Sequence, residues 1–405
     1  MHWHSATSPI NYHWLYNSRC ASGATPHRMN SSSWKREAKV MLANQSIKKW
    51  IVFLVCLLWS FDCQANFETT KREQVVAKGI QFLRQAQSAD GSFSTSSGPG
   101  ITGLVLHGLV ASGLREGDAT VDKAVKYLLS TRRDDGGIYA DGSKHANYET
   151  CLSIMAFSKL NESGKYKDLI EKAEKFVKGQ QWDEGEGLES SDPAFGGAGY
   201  GSKSRPDLSN TSFLIEALKE AGCPDDDPAI QRALAFVSRC QNLESPYNNT
   251  PFAKKSNDGG FYYTPANGGE SMAGIEEGTG ALRSYASMSY AGLKSMVFAG
   301  VKKDDVRVKA VTSFLRKNYS VSSNPGMGET GLYYYQQTMS KALAAWGEST
   351  FTTQDGPREW KDELLAQLEK TQRPDGSWVN NTPRWMEGDP NLVTGYALLT
   401  LANLK

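Results

Sequence analysis

The chain has 405 residues, 39% of them hydrophobic, with 45 lysines and arginines against 44 aspartates and glutamates. So even a balance supplies no long-range field for a polyanion, which excludes nucleic acid and an anionic membrane surface as partners drawn by net charge. The length leaves room for one large domain or two to three small ones, with a sizeable core either way.

Residues 1–40 mix His, Ser, Asn and Trp without periodicity and read as a disordered upstream extension, with Met41 as the true start. From there Lys48 and Lys49 precede an apolar run from Ile51 to Leu58, extended by Trp59 and Phe61, and then Cys63, Gln64 and Ala65. Residues 41–65 match a secretory signal peptide cleaved after Ala65. The run is shorter than the ~20 residues that span a bilayer, so the expectation is a secreted or periplasmic protein with no stable membrane insertion; an anchor left in place is the alternative. Cleavage leaves Cys151, Cys223 and Cys240. Cys223 and Cys240 flank a predicted helix that holds them ~18 Å apart, beyond the ~7 Å a disulfide tolerates, so both are expected as free thiols.

Residues 66–405 read as a single domain built on one repeated phrase. The last copy is the clearest: Leu364, Leu365 and Leu368 at helical spacing, then Gln372, then Pro374, Asp375 and Gly376 turning the chain before Trp378. The first copy runs from Phe82 and Leu83 to Gln87 and then Asp90, Gly91 and Phe93. The second has Leu128 and Arg132 before Asp135, Gly136 and Ile138; the third has Phe176, Val177 and Gln180 before Gly196, Gly197, Gly199 and Tyr200. The fourth has Phe236, Val237 and Gln241 before Asp258, Gly259 and Phe261, and the fifth has Phe314 and Leu315 before Gly331 and Tyr333. Self-similarity at roughly 45 to 80 residues signals a repeat architecture.

Between copies lie helices of a second kind, over 101–114, 148–160, 209–221, 280–299, 334–346 and 392–404. In the first of them Leu104, Val105, Leu106, Leu109 and Val110 point almost all round the axis, whereas Val121, Ala124, Val125 and Leu128 of the neighbouring phrase make one stripe. The first kind is expected to be buried and the second half-exposed. Six of each close into a double ring, an α/α toroid, and no strand-period segment of useful length competes.

The Gln-x3-Gly-x-Trp/Phe phrase, present as Gln87, Gly91 and Phe93 and as Gln372, Gly376 and Trp378, resembles the repeat of the squalene cyclase and protein prenyltransferase superfamily over residues 68–405. The resemblance implies an all-α toroid of about six helix pairs and assigns Gln372 and Trp378 a structural role. It also implies that chemistry sits where the inner helices begin, since free N–H groups and helix dipoles there favour acids and anions.

One such start, Asp207, Leu208, Ser209, Asn210 and Thr211, is similar to the Asp-x-Asp-Asp-Thr of squalene-hopene-type cyclases, whose middle Asp protonates an alkene. Here Ser209 and Asn210 replace two of the acids, so Asp207 is the candidate acid that remains; a helix cap is the alternative reading of this stretch. Another start, Tyr148, Glu149, Thr150 and Cys151, is similar to the Tyr-His-Thr-Cys of prenyltransferases, with Glu149 where a zinc ligand would stand. Glu149 is the second candidate catalytic residue. No metal is expected; His145, Glu149 and Cys151 are the weak candidates for one, and no other cofactor is implied.

Tyr148, Ser209, Asn210, Tyr200, Tyr262 and Trp385 are the candidate substrate-binding residues. The long connections 182–207 and 242–280 suit lids or binding loops, whose aromatics either line a mouth or pack on the rim. The acids Glu276, Glu277, Glu329, Glu387 and Asp389 either act on a sugar or are solvated loop charges.

Three functions stay open. The first is a terpenoid cyclase-like toroid that holds an isoprenoid or other apolar ligand, with cyclisation in doubt because the acid motif is degenerate. The others are a carbohydrate-active lyase or hydrolase and a non-catalytic interaction module. The expected partner is a small apolar or sugar ligand, and the expected state a monomer.

Overall fold

A computed structural model describes residues 71–405 apart from 202 and 203. The upstream extension and the signal segment lie outside the described residues. Among those described, no helix is long and apolar enough to cross a membrane.

Among the described residues, twelve α-helices alternate between two roles. The inner ones are α2 (Pro99–Ala111), α4 (Ala146–Leu160), α6 (Leu208–Glu220), α8 (Ala286–Phe298), α10 (Leu332–Trp346) and α12 (Pro390–Ala402). The outer ones are α1 (71–86), α3 (Ala119–Ser130), α5 (Lys167–Lys178), α7 (Pro228–Arg239), α9 (Val306–Lys317) and α11 (Trp360–Thr371). Each inner helix packs on the next, and α12 packs back on α2, which closes the ring. The described residues therefore form an all-α, α/α toroid, as their periodicity predicts.

The two roles follow from composition. In α2 every residue from Pro99 to Val110 is buried, because the helix has neighbours on all sides. In α5 only Ile170, Ala173 and Val177 are buried, and lysines and acids face water. Burial of one such aliphatic side chain contributes about 1.5–3 kcal/mol. Asp118, Asp227 and Asp305 cap α3, α7 and α9 by accepting the N–H of Thr120, Ala229 and Arg307, which fixes where these helices begin.

The repeated phrase joins one repeat to the next. The Gln87 amide donates to the carbonyls of Gly91 at 3.0 Å and Thr120 at 2.9 Å, tying its own turn to the first turn of α3. Gln241 does the same to Gly259 and Arg307, and Gln372 to Gly376 and Val75. The last of these connects α11 to α1 and so seals the outer ring. Gly91, Gly136, Gly196, Gly259 and Gly376 all have φ between 80° and 93°, and a Cβ on any of them would lie within 2.7 Å of a carbonyl oxygen of the next outer helix. Only glycine fits both demands. Two residues further on, the backbone N–H of Phe93, Ile138, Ala198, Phe261 or Trp378 donates to a hydroxyl of the following inner helix: Thr102, Thr150, Thr211, Ser289 or Thr394.

Three expectations change. In the third copy the bridging amide belongs to Gln181, bonded to Gly196 and Ala229, because Gln180 is turned away from that turn. The aromatic position of that copy is Ala198, which leaves Tyr200 free for another role. A short hairpin, β1 (Phe351–Thr353) and β2 (Gly356–Arg358), packs against α9; its strands are too short for a period to show. Cys151, Cys223 and Cys240 are buried free thiols.

Candidate functional site

All six inner helices begin at one end of the ring, where their first turns enclose a cavity of about 780 Å³. That volume lies within the ~300–1,000 Å³ usual for small-molecule sites. Aromatic side chains make its walls. Phe213 of α6 stands edge-on to Tyr148 of α4, with ring centroids 5.3 Å apart, and Tyr334 of α10 stands edge-on to Tyr396 of α12 at 6.1 Å. Tyr200, Tyr263 and Tyr285 close the remaining side, and Ile101, Met288 and Leu392 fill gaps between the rings.

The start of α6 is the most informative wall. Asp207 caps the helix, accepting the backbone N–H of Asn210 at 2.9 Å and the Asn210 side-chain amide at 2.8 Å. Its carboxyl is 2% exposed and does not line the cavity. Burial pushes its pKa up to about 6, against the opposing hydrogen bonds from Asn210 and the Tyr263 hydroxyl. Ser209, two residues on, does face the cavity, and its hydroxyl lies 3.0 Å from that of Tyr334. Asn210 is buried behind it, with its Oδ1 unpartnered among the described residues.

Glu149 lines the cavity from the first turn of α4. One carboxylate oxygen accepts the backbone N–H of Ala140 at 3.0 Å, and the other accepts the Ser143 hydroxyl at 2.9 Å. Burial raises its pKa and these two donors oppose the rise. Gly98, with φ 75°, passes so close that a Cβ there would lie 2.7 Å from the carboxylate. Glu387 has a similar post: it accepts the N–H of Tyr334 at 2.8 Å, capping α10 from another loop, and the Asn380 amide at 2.6 Å. Burial raises its pKa as well. Both cavity carboxylates are therefore engaged, Glu149 by the loop that leads into α4 and Glu387 by the start of α10 and Asn380.

Trp385 and Met386 lie at the mouth, 42% and 46% exposed. Both hold a left-handed backbone, at φ 55° and 64°, a conformation that costs a non-glycine residue about 1–3 kcal/mol. Gly331 opposite gives the indole room, since a Cβ there would lie 3.1 Å from the ring.

The structure thus brings Tyr148, Glu149, His145, Tyr200, Ser209 and Trp385 into one cavity. It places Asp207 and Asn210 directly behind the wall. Tyr262 lies outside: its hydroxyl donates to the Arg239 carbonyl at 2.6 Å and its ring packs on Phe252. Extended backbone sends successive side chains to opposite sides, so Tyr263 faces the cavity in its place. Cys151 is fully buried against Asn147 and does not join His145 and Glu149 in a ligand set. The metal-competent group found among the described residues is Glu174, Cys223 and Asp227, and the Lys178 ammonium already bonds both carboxylates at 2.8 and 2.7 Å. Glu276, Glu277 and Glu329 are exposed, and Asp389 caps α12. Phe213, Tyr285, Tyr334 and Tyr396 were not singled out from the sequence, although all four lie at or just inside inner-helix starts.

The model of the squalene-hopene cyclase C-terminal domain family matches residues 59–151 and 94–265, together just over half of the chain. A probable squalene-hopene cyclase of Sinorhizobium fredii is 40% identical over 73 residues, a match that spans 17% of this chain and 11% of that relative. Among solved structures, a variant of type II terpene cyclase MstE from Scytonema in complex with merosterolic acid A, its product, superposes with a TM-score of 0.50 at 12% identity, covering 82% of this chain and 97% of that one. A protein from Actinoplanes superposes with a TM-score of 0.48 at 14% identity, covering 82% and 99%. The MstE likeness is one of fold.

Proposed function

Because this chain belongs to the squalene-hopene cyclase C-terminal domain family, we propose that it holds an isoprenoid or a similarly extended apolar ligand in the cavity at the inner-helix starts. The observation that carries this reading is the wall itself: tyrosines and Phe213 packed edge-on around about 780 Å³, with Ser209 bonded to Tyr334 where the resemblance to cyclases would put an acid. Aromatic faces supply large apolar area with few rotatable bonds. The tyrosine hydroxyls at the rim suit a ligand with a polar head.

Alkene protonation is not part of the proposal. It needs a neutral, strongly acidic carboxyl aimed at the double bond. A serine hydroxyl is far too weak an acid, and Asp207 is turned into its own helix cap. Glu149 and Glu387 have both oxygens hydrogen-bonded, Glu149 to the loop before α4 and Glu387 to the start of α10 and to Asn380, which weighs equally against a paired-carboxylate reaction on a sugar.

Mass spectrometry of small molecules that co-purify with the protein tests the reading. An isoprenoid or related lipid, released on unfolding and competed out by geranylgeraniol, is the expected result. A sugar, or an empty protein that does not bind geranylgeraniol, would overturn it. The same preparation tests export: cleavage after Ala65 makes Asn66 the first residue of the secreted protein.

A further inference from the structure

The other end of the ring carries a second pocket, of about 320 Å³, formed where the inner helices finish. Phe213 separates it from the aromatic cavity, with the Lys294 ammonium 5.6 Å from the centre of its ring. Below that ring lies a chain of charges. Lys294 pairs with Glu216, and the two side chains are 3% and 1% exposed. Lys341 bridges Glu216 at 3.4 Å and Glu220 at 2.9 Å, and Lys159 closes on Glu220 at 2.7 Å. Burial works to raise the Glu216 pKa, but Lys294 and Lys341 outweigh it and hold it down to about 2.

Accounting for donors and acceptors shows what this cluster lacks. Lys294 and Lys341 take the two oxygens of Glu216, and Lys341 and Lys159 take those of Glu220. Two carboxylates, with each oxygen already paired, face three ammonium groups, an excess of one positive charge with N–H donors to spare. Arg115 and Lys405 add positive charge to the pocket wall, against Glu162. The helix C-termini offset part of this excess with their partial negative charge, but their carbonyls do not use up the free donors on Lys159 and Lys341. His107 lines the same pocket and is 3% exposed. Burial first, and Lys341 second, push its pKa down to about 4, so the ring is neutral at pH 7. Its Nδ1 has no hydrogen-bond partner among the described residues, an unusual state for a buried nitrogen.

We propose that this lower pocket binds a small organic monoanion, a short-chain carboxylate. Its carboxylate takes the free donors of Lys159 and Lys341, and His107 and Gln337 complete its hydrogen bonds. Val110, Ala111 and Leu399 give its aliphatic tail a short apolar wall. The half-exposed side chains of Lys159 and Arg115, at 42% and 52%, keep the pocket in contact with solvent. This site is independent of the isoprenoid reading, since Phe213 and the ion pairs stand between the two ends.

Titration of acetate, butyrate and phosphate into the full-length protein at constant ionic strength tests it, followed by calorimetry and by the ¹⁵N resonances of selectively labelled histidine. Butyrate is expected to saturate one site and shift the His107 resonances. Lys159→Gln, a change at the solvent side that leaves Glu216 paired, should weaken binding tenfold or more, and His107→Gln several-fold. Lys254→Gln, on an exposed loop, should leave it unchanged. Absence of saturation, unmoved His107 resonances, equal affinity in Lys159→Gln, or binding of phosphate in preference to both carboxylates would each overturn the proposal.

Discussion

The Ser209 hydroxyl on α6 lies 3.0 Å from the Tyr334 hydroxyl on α10, so two inner helices that are not neighbours in the ring meet across the cavity. The contact gives Ser209 a structural partner at the position where the cyclases that this stretch resembles carry their proton donor. A hydroxyl pair of this kind is neutral at any ordinary pH.

The protein should therefore form no cyclic product from squalene, followed by gas chromatography over long incubations. Rapid turnover to a cyclic product, abolished by Asp207→Asn, would refute the reading of this helix start as non-catalytic, with Asp207 only a cap.

Gln372→Ala removes the amide that bonds both Val75 and Gly376. Two carbonyls at a part-buried junction lose their donor, which costs about 1–3 kcal/mol. Urea unfolding should show that loss as a lower midpoint, while affinity for an apolar ligand stays unchanged, because the junction lies on the outer ring.

Gly196→Ala should be more damaging. Its φ is 85°, and the new Cβ would lie 1.9 Å from the Arg232 carbonyl oxygen. Neither backbone can move without breaking α7 or the turn, so the expected loss is about 3 kcal/mol or more, read as a collapse of soluble yield or of the thermal midpoint. Gly187→Ala, also at positive φ but with nothing within 4 Å, should cost far less.

His107 makes a pH prediction. Its pKa falls from 6.5 to about 4 in the folded state, so the folded protein favours the neutral ring. That contribution is complete above pH 6.5 and is lost as the pH drops towards 4, by about 3 kcal/mol in all. Asp207 acts with the opposite sign: its pKa is raised from 3.8 to about 6, so the protein gains stability as it protonates. The clean measurement is the difference in unfolding free energy between wild type and His107→Gln across pH 7 to 4, in buffers free of carboxylates. The wild type should lose more with acid, and parallel profiles would disprove the assignment.

Much of the toroid was legible in the sequence because its two helix types differ in period and composition. An all-round apolar α2 and a single-stripe α3 declare their surroundings before any contact is known. The repeated glutamine and glycine were equally readable, since each turn needs a donor and a positive φ. In the third copy the phrase pointed to Gln180, and the structure uses the adjacent Gln181 to reach Ala229. The hairpin at Phe351–Arg358 was missed because three-residue strands leave no pattern.

Candidate site residues were legible only as positions along helices. Helix starts at Glu149 and Asp207 were identifiable, and so was the replacement of acids by Ser209 and Asn210. Whether a side chain faces the cavity, its own helix or the wall behind is a matter of packing. Tyr262 and Tyr263 look interchangeable in sequence, yet one is buried away from the cavity and the other faces it. The charged pocket beneath Phe213 was invisible for the same reason: His107, Glu216, Lys294 and Lys341 lie far apart in the chain and on different helices, and only closure of the ring brings them together. The sequence by itself therefore determined the helices, their inner or outer role and the turns that join them, because these depend on local period and backbone conformation. The tertiary structure alone decided which side chains share a cavity, because that depends on the rotation of six helices about one axis.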